Sequence, residues 1–308
     1  MVEQEEGHSR SLVTGATGFI GSNLVRGLLN KGWKVDVLVR PSSSLDMLAD
    51  VQNSLSIHAF NGKTEQMLEI LSKVFPDVVF HVASMVVGEH KPAQVEELIS
   101  SNITFGNQLL EAMSISGVSK FVNIGTYWEH YENKQYSPVN LYAATKYAFQ
   151  NILQYYVEAK DISANTLKLF DTYGPNDPRP KILNLLLNAV RTGEKLVMSP
   201  GKQKLDLVYI DDVVNAFLTA AERLLAGNVR GHEIYGVGTG EFVSLRNLVQ
   251  VVEKIAGNSI HVEWGAKPYR PRDVMFPWDY KTQLSGWVAK VGLEEGIRRC
   301  WNINNAEG

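Results

Sequence analysis

Short apolar runs alternate with amphipathic stretches over the first 170 residues. Ser11–Thr14 is apolar, and the glycine-rich GATGFIG leads from it into an amphipathic stretch, Ser22–Lys31, closed by Gly32. WKVDVLVR reads as a second strand ending at Arg40. Ser56–Phe60 reads as a third, with a short helix around Leu45–Ala49 between the two. Thr64–Val74 has helical spacing and stops before Pro76, and DVVFHVA (77–83) is a fourth strand. Glu96–Ser114 carries apolar residues at i, i+3, i+4 and i+7, the period of a helix. KFVNIG (120–125), a helix over Tyr142–Lys160 and ANTLKLF (164–170) complete the series. Strands alternating with helices at this spacing predict an α/β fold with a parallel, doubly wound Rossmann sheet. Right-handed crossovers then bring the C-terminal strand ends to one rim, where ligands bind.

The rhythm breaks after Phe170. DTYGPNDPRPK is a Pro/Gly-rich loop, Leu183–Arg191 a helix, and short strands lead to a longer helix over Val213–Leu225, N-capped by Asp211-Asp212. HEIYGVG, the helix SLRNLVQVVEKIAG, strand-like IHVEW, the Pro/Arg-rich KPYRPRDV and a last helix (GLEEGIRRCWN) follow. Residues 11–170 are thus expected to form the dinucleotide-binding domain. Residues 171–308 are expected to form mainly a smaller C-terminal α/β substrate-binding lobe, with some return to the sheet.

Composition narrows the class by exclusion. A formal net charge of −3 leaves no basic footprint for nucleic acid and no polybasic membrane patch. No apolar run approaches the ~20 residues that span a bilayer. The polar, acidic start MVEQEEGHSR reads as a frayed end without the apolar core of a signal peptide. One cysteine, Cys300, cannot form an internal disulfide or a cysteine metal cluster, and His58, His81 and His90 are too scattered for a metal site. The expected compartment is the cytoplasm.

Gly15-x-x-Gly18-x-x-Gly21 follows a strand and opens a helix, the context a dinucleotide fingerprint requires. Gly15, Thr17, Gly18, Phe19, Ile20 and Gly21 are therefore expected at the cofactor, its phosphates at the helix N-terminus. An acid ending the second strand would bond the ribose 2′-hydroxyl of NAD. That end is Val39-Arg40-Pro41-Ser42-Ser43, and Asp36 comes four residues too early. Arg40 suits a 2′-phosphate, with Ser43 beside it, so NADP(H) is expected, with NAD the alternative.

Thr126 ends an apolar run, and Tyr142 and Lys146 stand four apart on one helix face. An ammonium beside a phenol favours phenolate, so Lys146 is expected to lower the pKa of Tyr142 and fit it for proton transfer. Tyr-x-x-x-Lys is common in helices by chance. Its place after a dinucleotide fingerprint gives it meaning.

VTGATGFIG, the Thr126/Tyr142/Lys146 set, FHVAS at 80–84, YGP at 173–175 and VYIDDV at 208–213 resemble an extended short-chain dehydrogenase/reductase of the nucleotide-sugar epimerase/dehydratase branch. The resemblance covers nearly the whole chain. It implies that Thr126 bonds the substrate oxygen, that Tyr142 is the acid/base, and that Lys146 also binds the nicotinamide ribose. It places His81, Ala83 and Ser84 along the cofactor cleft and Asn102 beneath the site. Tyr127, Trp128, Asp171, Lys181 and Arg270 are implied contacts to a nucleoside diphosphate sugar, and a homodimer packed through Glu96–Ser114 and Tyr142–Lys160 is implied as well.

The departures sharpen the expectation. Dehydratases follow the threonine with Asp-Glu, where this chain has Tyr127-Trp128. Asp171 replaces the usual Asn before YGP, Leu205 an arginine, and Asn61-Gly62 an adenine-site Asp-Leu/Ile. The segment GTYWEHYENKQYSPVNLYAATK is most similar to enzymes of CDP-linked 3,6-dideoxyhexose synthesis that reduce a C4 ketone with NADPH. The expected activity is that reduction on a CDP- or dTDP-sugar. An epimerase with tightly held NAD(P), a silent NADP-binding regulator and a flavonoid-type reductase are the alternatives. His130, Tyr131 and Trp128 either contact sugar or only pack their loop.

Overall fold

The computed structural model describes residues 8–306; most of the polar start, residues 1–7, lies outside them. β1 (Arg10–Thr14), α1 (Phe19–Asn30), β2 (Lys34–Val39), β3 (Leu55–Ala59), α2 (Thr64–Val74) and β4 (Val78–His81) form the first half of a Rossmann sheet. A helical stretch built of α3 (Val95–Ile99), a five-residue π-turn (Ser100–Thr104) and α4 (Phe105–Ser116) follows, then β5 (Lys120–Thr126), α5 (Leu141–Ala159) and β6 (Ser163–Leu169). The expected 45–49 helix is only a 3-10 turn at Asp46–Leu48.

The remainder comprises β7 (Asp171–Tyr173), α6 (Ile182–Thr192), β8 (Leu196–Met198), β9 (Lys204–Leu205), β10 (Leu207–Tyr209) and α7 (Ile210–Leu225). β11 (His232–Val237), β12 (Val243–Ser244), α8 (Leu245–Ala256), β13 (Val262–Trp264) and α9 (Leu293–Ala306) close the chain. β11 returns to the main sheet alongside β6, giving a seven-stranded sheet in the order β11-β6-β5-β4-β1-β2-β3 with every pair parallel. The order reverses between β1 and β4, the switch point at which ligand clefts open in such sheets. The small strands pair as β10 with β7, β12 with β9 and β13 with β8, away from the central sheet.

The central strands are apolar because helices cover both faces of the sheet. Val78, Val79 and Phe80 are fully buried, as are Phe121 and Val122. Buried polar side chains are tied down locally: Asn123 donates to Thr166 Oγ1 (3.1 Å) and Asn165 to the Ala220 carbonyl (3.0 Å). α7 starts at Ile210, earlier than its sequence pattern suggests. Asp211 and Asp212 therefore lie in its first turn rather than at its cap, where they complement the helix dipole. Asp212 also accepts from the Val291 amide (2.9 Å), tying the C-terminal tail to the helix.

Candidate active site

A cleft of about 1010 Å³ runs along the C-terminal rim, over the switch point and on to the C-terminal segment. Gly15, Thr17, Gly18, Phe19, Ile20 and Gly21 line one end. Gly15 has φ 71°, and a Cβ there would lie 2.5 Å from the Ala83 backbone nitrogen. A Cβ on Gly21 would strike the Gly15 carbonyl, so both positions require glycine. Gly18 caps α1 without a side-chain hydrogen bond, and the first turn carries no acid. The leading N–H groups of α1 are thus left for an anion.

At the edge of β2, Asp36 is committed. It accepts from Arg10 Nε (2.7 Å) and pairs with His58 Nε2 (2.7 Å). Arg40 is exposed and lines the cleft with Ser42 and Ser43, opposite Asn61 and Gly62. Among the described residues, no acid lines the cleft beside Arg40 at the end of β2.

Thr126, Tyr142, Tyr127 and Trp128 form the cleft's middle. Thr126 ends β5 and starts a 3-10 turn closed by a capping box. Its hydroxyl accepts from the Trp128 amide (3.3 Å), and its own amide donates to Glu129 Oε1 (3.2 Å). Tyr142 sits in the first turn of α5, fixed by Asn140, which accepts from Ala143 N (2.9 Å) and donates to the Val87 and Gly88 carbonyls. Ser84 and Thr126 are the hydroxyl neighbours that act on the Tyr142 phenol. These contacts and the Arg179 charge pull its pKa down, but burial, then the Glu129 charge, outweigh them and hold it above the ordinary value. The expected depression by Lys146 is not what the structure gives: burial dominates the tyrosine's environment. Lys146 is itself pulled down to about 8 by burial, against the opposing charge of Glu129. It is 1 % exposed, and its Nζ is buried without a hydrogen-bond partner. Lys146 does not itself line the cleft: it lies buried behind Tyr142, one helical turn on, where an orphaned ammonium is suited to the hydroxyls of a dinucleotide ribose.

Asn102, in the π-turn, supports this geometry from below. Its amide donates to Met85 O and Thr145 Oγ1 (3.0 Å each) and accepts from Ser84 Oγ (3.2 Å) and Met85 N (2.8 Å). From that π-turn its one side chain bridges the β4 exit loop at Met85 and α5 at Thr145.

At the far end, the Tyr127 hydroxyl donates to Asp171 Oδ2 (3.0 Å), and Lys181 lies over the Trp128 ring at 6.0 Å. Both Asp171 and Lys181 line the cleft. Arg270 does not. It is exposed and paired with Asp273 (3.6 Å), though its charge acts on Asp171. His81 is also off the cleft surface. It is fully buried, with Nδ1 at 3.0 Å from Thr14 Oγ1 and its ring packed among Phe105, Phe121 and Phe149, so it stiffens the β4 end instead of lining the site. His130 packs its loop: it stacks on Trp278 at 4.0 Å and bonds Lys168 Nζ through Nε2 (2.7 Å). Arg179 was not legible in sequence. It lines the cleft over the Phe19 ring (4.6 Å), held by Asp177, which stands two residues before it.

The fold and the cleft define a dinucleotide-dependent enzyme of the short-chain dehydrogenase/reductase type. The chain belongs to the NAD dependent epimerase/dehydratase family, whose model matches residues 11–238. It is 30% identical over 298 residues to CDP-abequose synthase from Yersinia pseudotuberculosis, covering 94% of this chain and 98% of that one. It is 27% identical to the Salmonella muenchen CDP-abequose synthase, over 96% and 98% of the two chains. The structure is similar to that of UDP-glucose 4-epimerase with UDP-glucose from Thermotoga maritima (TM-score 0.85, 26% identity, 97% and 99% covered). It is also similar to the Thermus thermophilus UDP-glucose 4-epimerase complex with NAD (TM-score 0.82, 27% identity, 97% and 100% covered).

Proposed function

We propose that the protein reduces a nucleotide-linked 4-keto-deoxyhexose, a CDP- or dTDP-sugar, to its 4-hydroxy form with NADPH. The observation that carries this reading is at β2. Asp36 is consumed by Arg10 and His58 while Arg40 lies open on the cleft, an arrangement that favours a 2′-phosphate. Tyr127 and Trp128 supply no acid pair for loss of water. The CDP-abequose synthases at 27–30% identity support the same chemistry.

When bound, NADPH supplies the hydride that the carbonyl carbon accepts. Tyr142, kept protonated by its buried setting, gives its phenolic proton to the carbonyl oxygen. Thr126 orients that oxygen through its hydroxyl, and Ser84, held by Asn102, is the phenol's other hydroxyl neighbour. Lys146, an ammonium at neutral pH, would bind ribose hydroxyls and offset the negative charge left on Tyr142 once its proton has gone to the substrate oxygen. Lys181 and Arg179 offset the diphosphate, and Asp171 accepts from a sugar hydroxyl. The same reading holds residues 11–170 to be chiefly the cofactor domain and the rest chiefly the substrate lobe. It includes a cytoplasmic homodimer packed through α4 and α5, where Ile115 and Tyr155 are exposed.

The test is NADPH oxidation with 4-keto sugars made in situ from CDP-glucose and from dTDP-glucose. Stoichiometric consumption with one of them supports the reductase and names its base. The UDP-glucose 4-epimerase similarity favours a second reading, in which substrate is isomerised with no net NADPH consumed and the cofactor co-purifies.

A further inference from the structure

Beneath Thr126 and Tyr142 lies a buried ion pair that the proton transfer does not itself use. Glu129 and Lys168 side chains are 1 % and 3 % exposed, with Lys168 Nζ at 2.9 Å from Glu129 Oε2. The register of β5 with β6 places Lys168 opposite Gly125, directly behind the catalytic strand end. Lys168 is held from its other side by His130 Nε2 at 2.7 Å, and its ammonium lies 5.5 Å from the Trp278 ring. The second carboxylate oxygen of Glu129 accepts the Thr126 amide at 3.2 Å. A sealed carboxylate of this kind is costly unless it serves a purpose beyond packing.

We propose that Glu129, with Lys168 as its buried counterion, is a positioning residue for Thr126 and Tyr142. One oxygen fixes the turn that aims Thr126, and the negative charge adds to the burial that already holds Tyr142 in its proton-donating form. The charged groups acting on each member are few. Tyr142 feels Glu129 and Arg179, with opposite signs. Glu129 feels Lys168 and Lys146, both of which favour its ionised form, against a larger push from burial. Lys168 faces His130 and His232, and burial holds both imidazoles down to about 4, so they are neutral at working pH. Without Lys168, Glu129 would take up a proton and its field would vanish.

The inference rests on the reductase reading for its kinetic arm only. Glu129→Gln keeps an oxygen for the Thr126 amide and removes the charge. The more alkaline limb of the kcat/KM profile, beyond the ionisation of Lys146, reports Tyr142 as acid and should move down by about one pH unit. Lys168→Met should move it in the same direction, and the double variant no further. Glu129→Ala, which also loses the turn, should lower kcat by roughly 10-fold or more. NADPH fluorescence titration confirms that each variant is folded. Phenolate absorbance, taken as the difference from Tyr142→Phe across alkaline pH, follows Tyr142 without substrate and should shift with Glu129→Gln as the kinetic limb does. A limb and a phenolate midpoint that stay at their wild-type positions, whatever happens to melting temperature, reduce the pair to a structural one. Wild type inactive on every keto sugar, with the phenolate shift intact, would overturn the reductase reading and leave this inference standing.

Discussion

The Tyr127 hydroxyl donates to Asp171 Oδ2 across 3.0 Å, joining the turn after β5 to the first residue of β7 at the floor of the cleft. Tyr127 also stacks on Phe170 at 4.6 Å with an interplanar angle of 1°, so its phenol has no freedom to swing away. Burial pushes Asp171 above the usual carboxylate range, against Lys181, Tyr127, Arg179 and Arg270. The folded state therefore holds the Asp171 proton more tightly than the unfolded chain does, and stability from this site falls as pH rises through 3.8 and beyond. Asp171→Asn keeps an acceptor for Tyr127 and removes that loss. Its melting temperature should exceed wild type by a margin that grows from about pH 3 to neutrality. A margin independent of pH, followed by differential scanning calorimetry, would contradict the assignment.

Tyr142→Phe removes the proton-donating hydroxyl and keeps the ring, which still packs edge-on to Trp128 at 6.3 Å. Turnover with a 4-keto sugar should drop by about 100- to 10,000-fold while NADPH affinity changes little. Single-turnover absorbance separates the two. A variant retaining full rate would refute proton donation by this residue.

The sheet, the glycine turn and the placing of Thr126 and Tyr142 on the cleft were legible because each follows a local pattern: an apolar run, a spacing, a helix face; Lys146 lies behind the lining. The helical stretch over 95–116 was legible too, but its π-turn was not, because the apolar period resumes on both sides of Ser100–Thr104. Charge was harder. Spacing suggested that Lys146 would activate Tyr142, whereas burial, which sequence does not reveal, decides the phenol's proton affinity. Glu129 and Lys168 were invisible as a pair because only the β5–β6 register brings them together. His81 and Arg270 sit in matching motifs, yet one lies under the cleft wall and the other outside its lining.

Arg40 lines the cleft without a carboxylate partner among the hydrogen bonds and ion pairs of the described residues, so its guanidinium is free to meet a phosphate. Arg40→Ala should weaken NADPH by roughly 10- to 100-fold, the worth of a charge-assisted hydrogen bond of about 1.5–3 kcal/mol, and leave NADH unchanged. Calorimetric titration with both nucleotides measures the ratio. Equal losses for the two would remove the basis for NADP preference.

Asn102 is fully buried with all four of its hydrogen-bonding positions used, so its truncation strands Met85 N and Met85 O. Asn102→Ala should cost about 2–4 kcal/mol in urea unfolding and loosen Ser84 against Tyr142. Asn102→Asp, which sets a buried carboxylate against the Met85 carbonyl, should cost at least as much as the alanine. An unaltered unfolding midpoint for the alanine variant would mean that the π-turn holds itself.

Lys146 offers the test with the clearest sign. Its pKa falls from 10.5 to about 8 on folding, because burial penalises an ammonium that no hydrogen bond stabilises. Between those two values the unfolded chain binds more protons than the folded one, so stability rises with pH across that interval. Below pH 8 the full penalty, of order 3 kcal/mol, is present. Lys146→Met fills the same space without the charge, so the cofactor-free variant should unfold at higher urea than wild type at pH 7. Its advantage should shrink as pH climbs from about 8 towards about 10.5. Adding NADPH should reverse the order at pH 7, since wild type gains ribose contacts that methionine cannot make and ligand binding adds to the stability of the folded state. If the variant gained as much from NADPH as wild type, Lys146 would not be at the ribose.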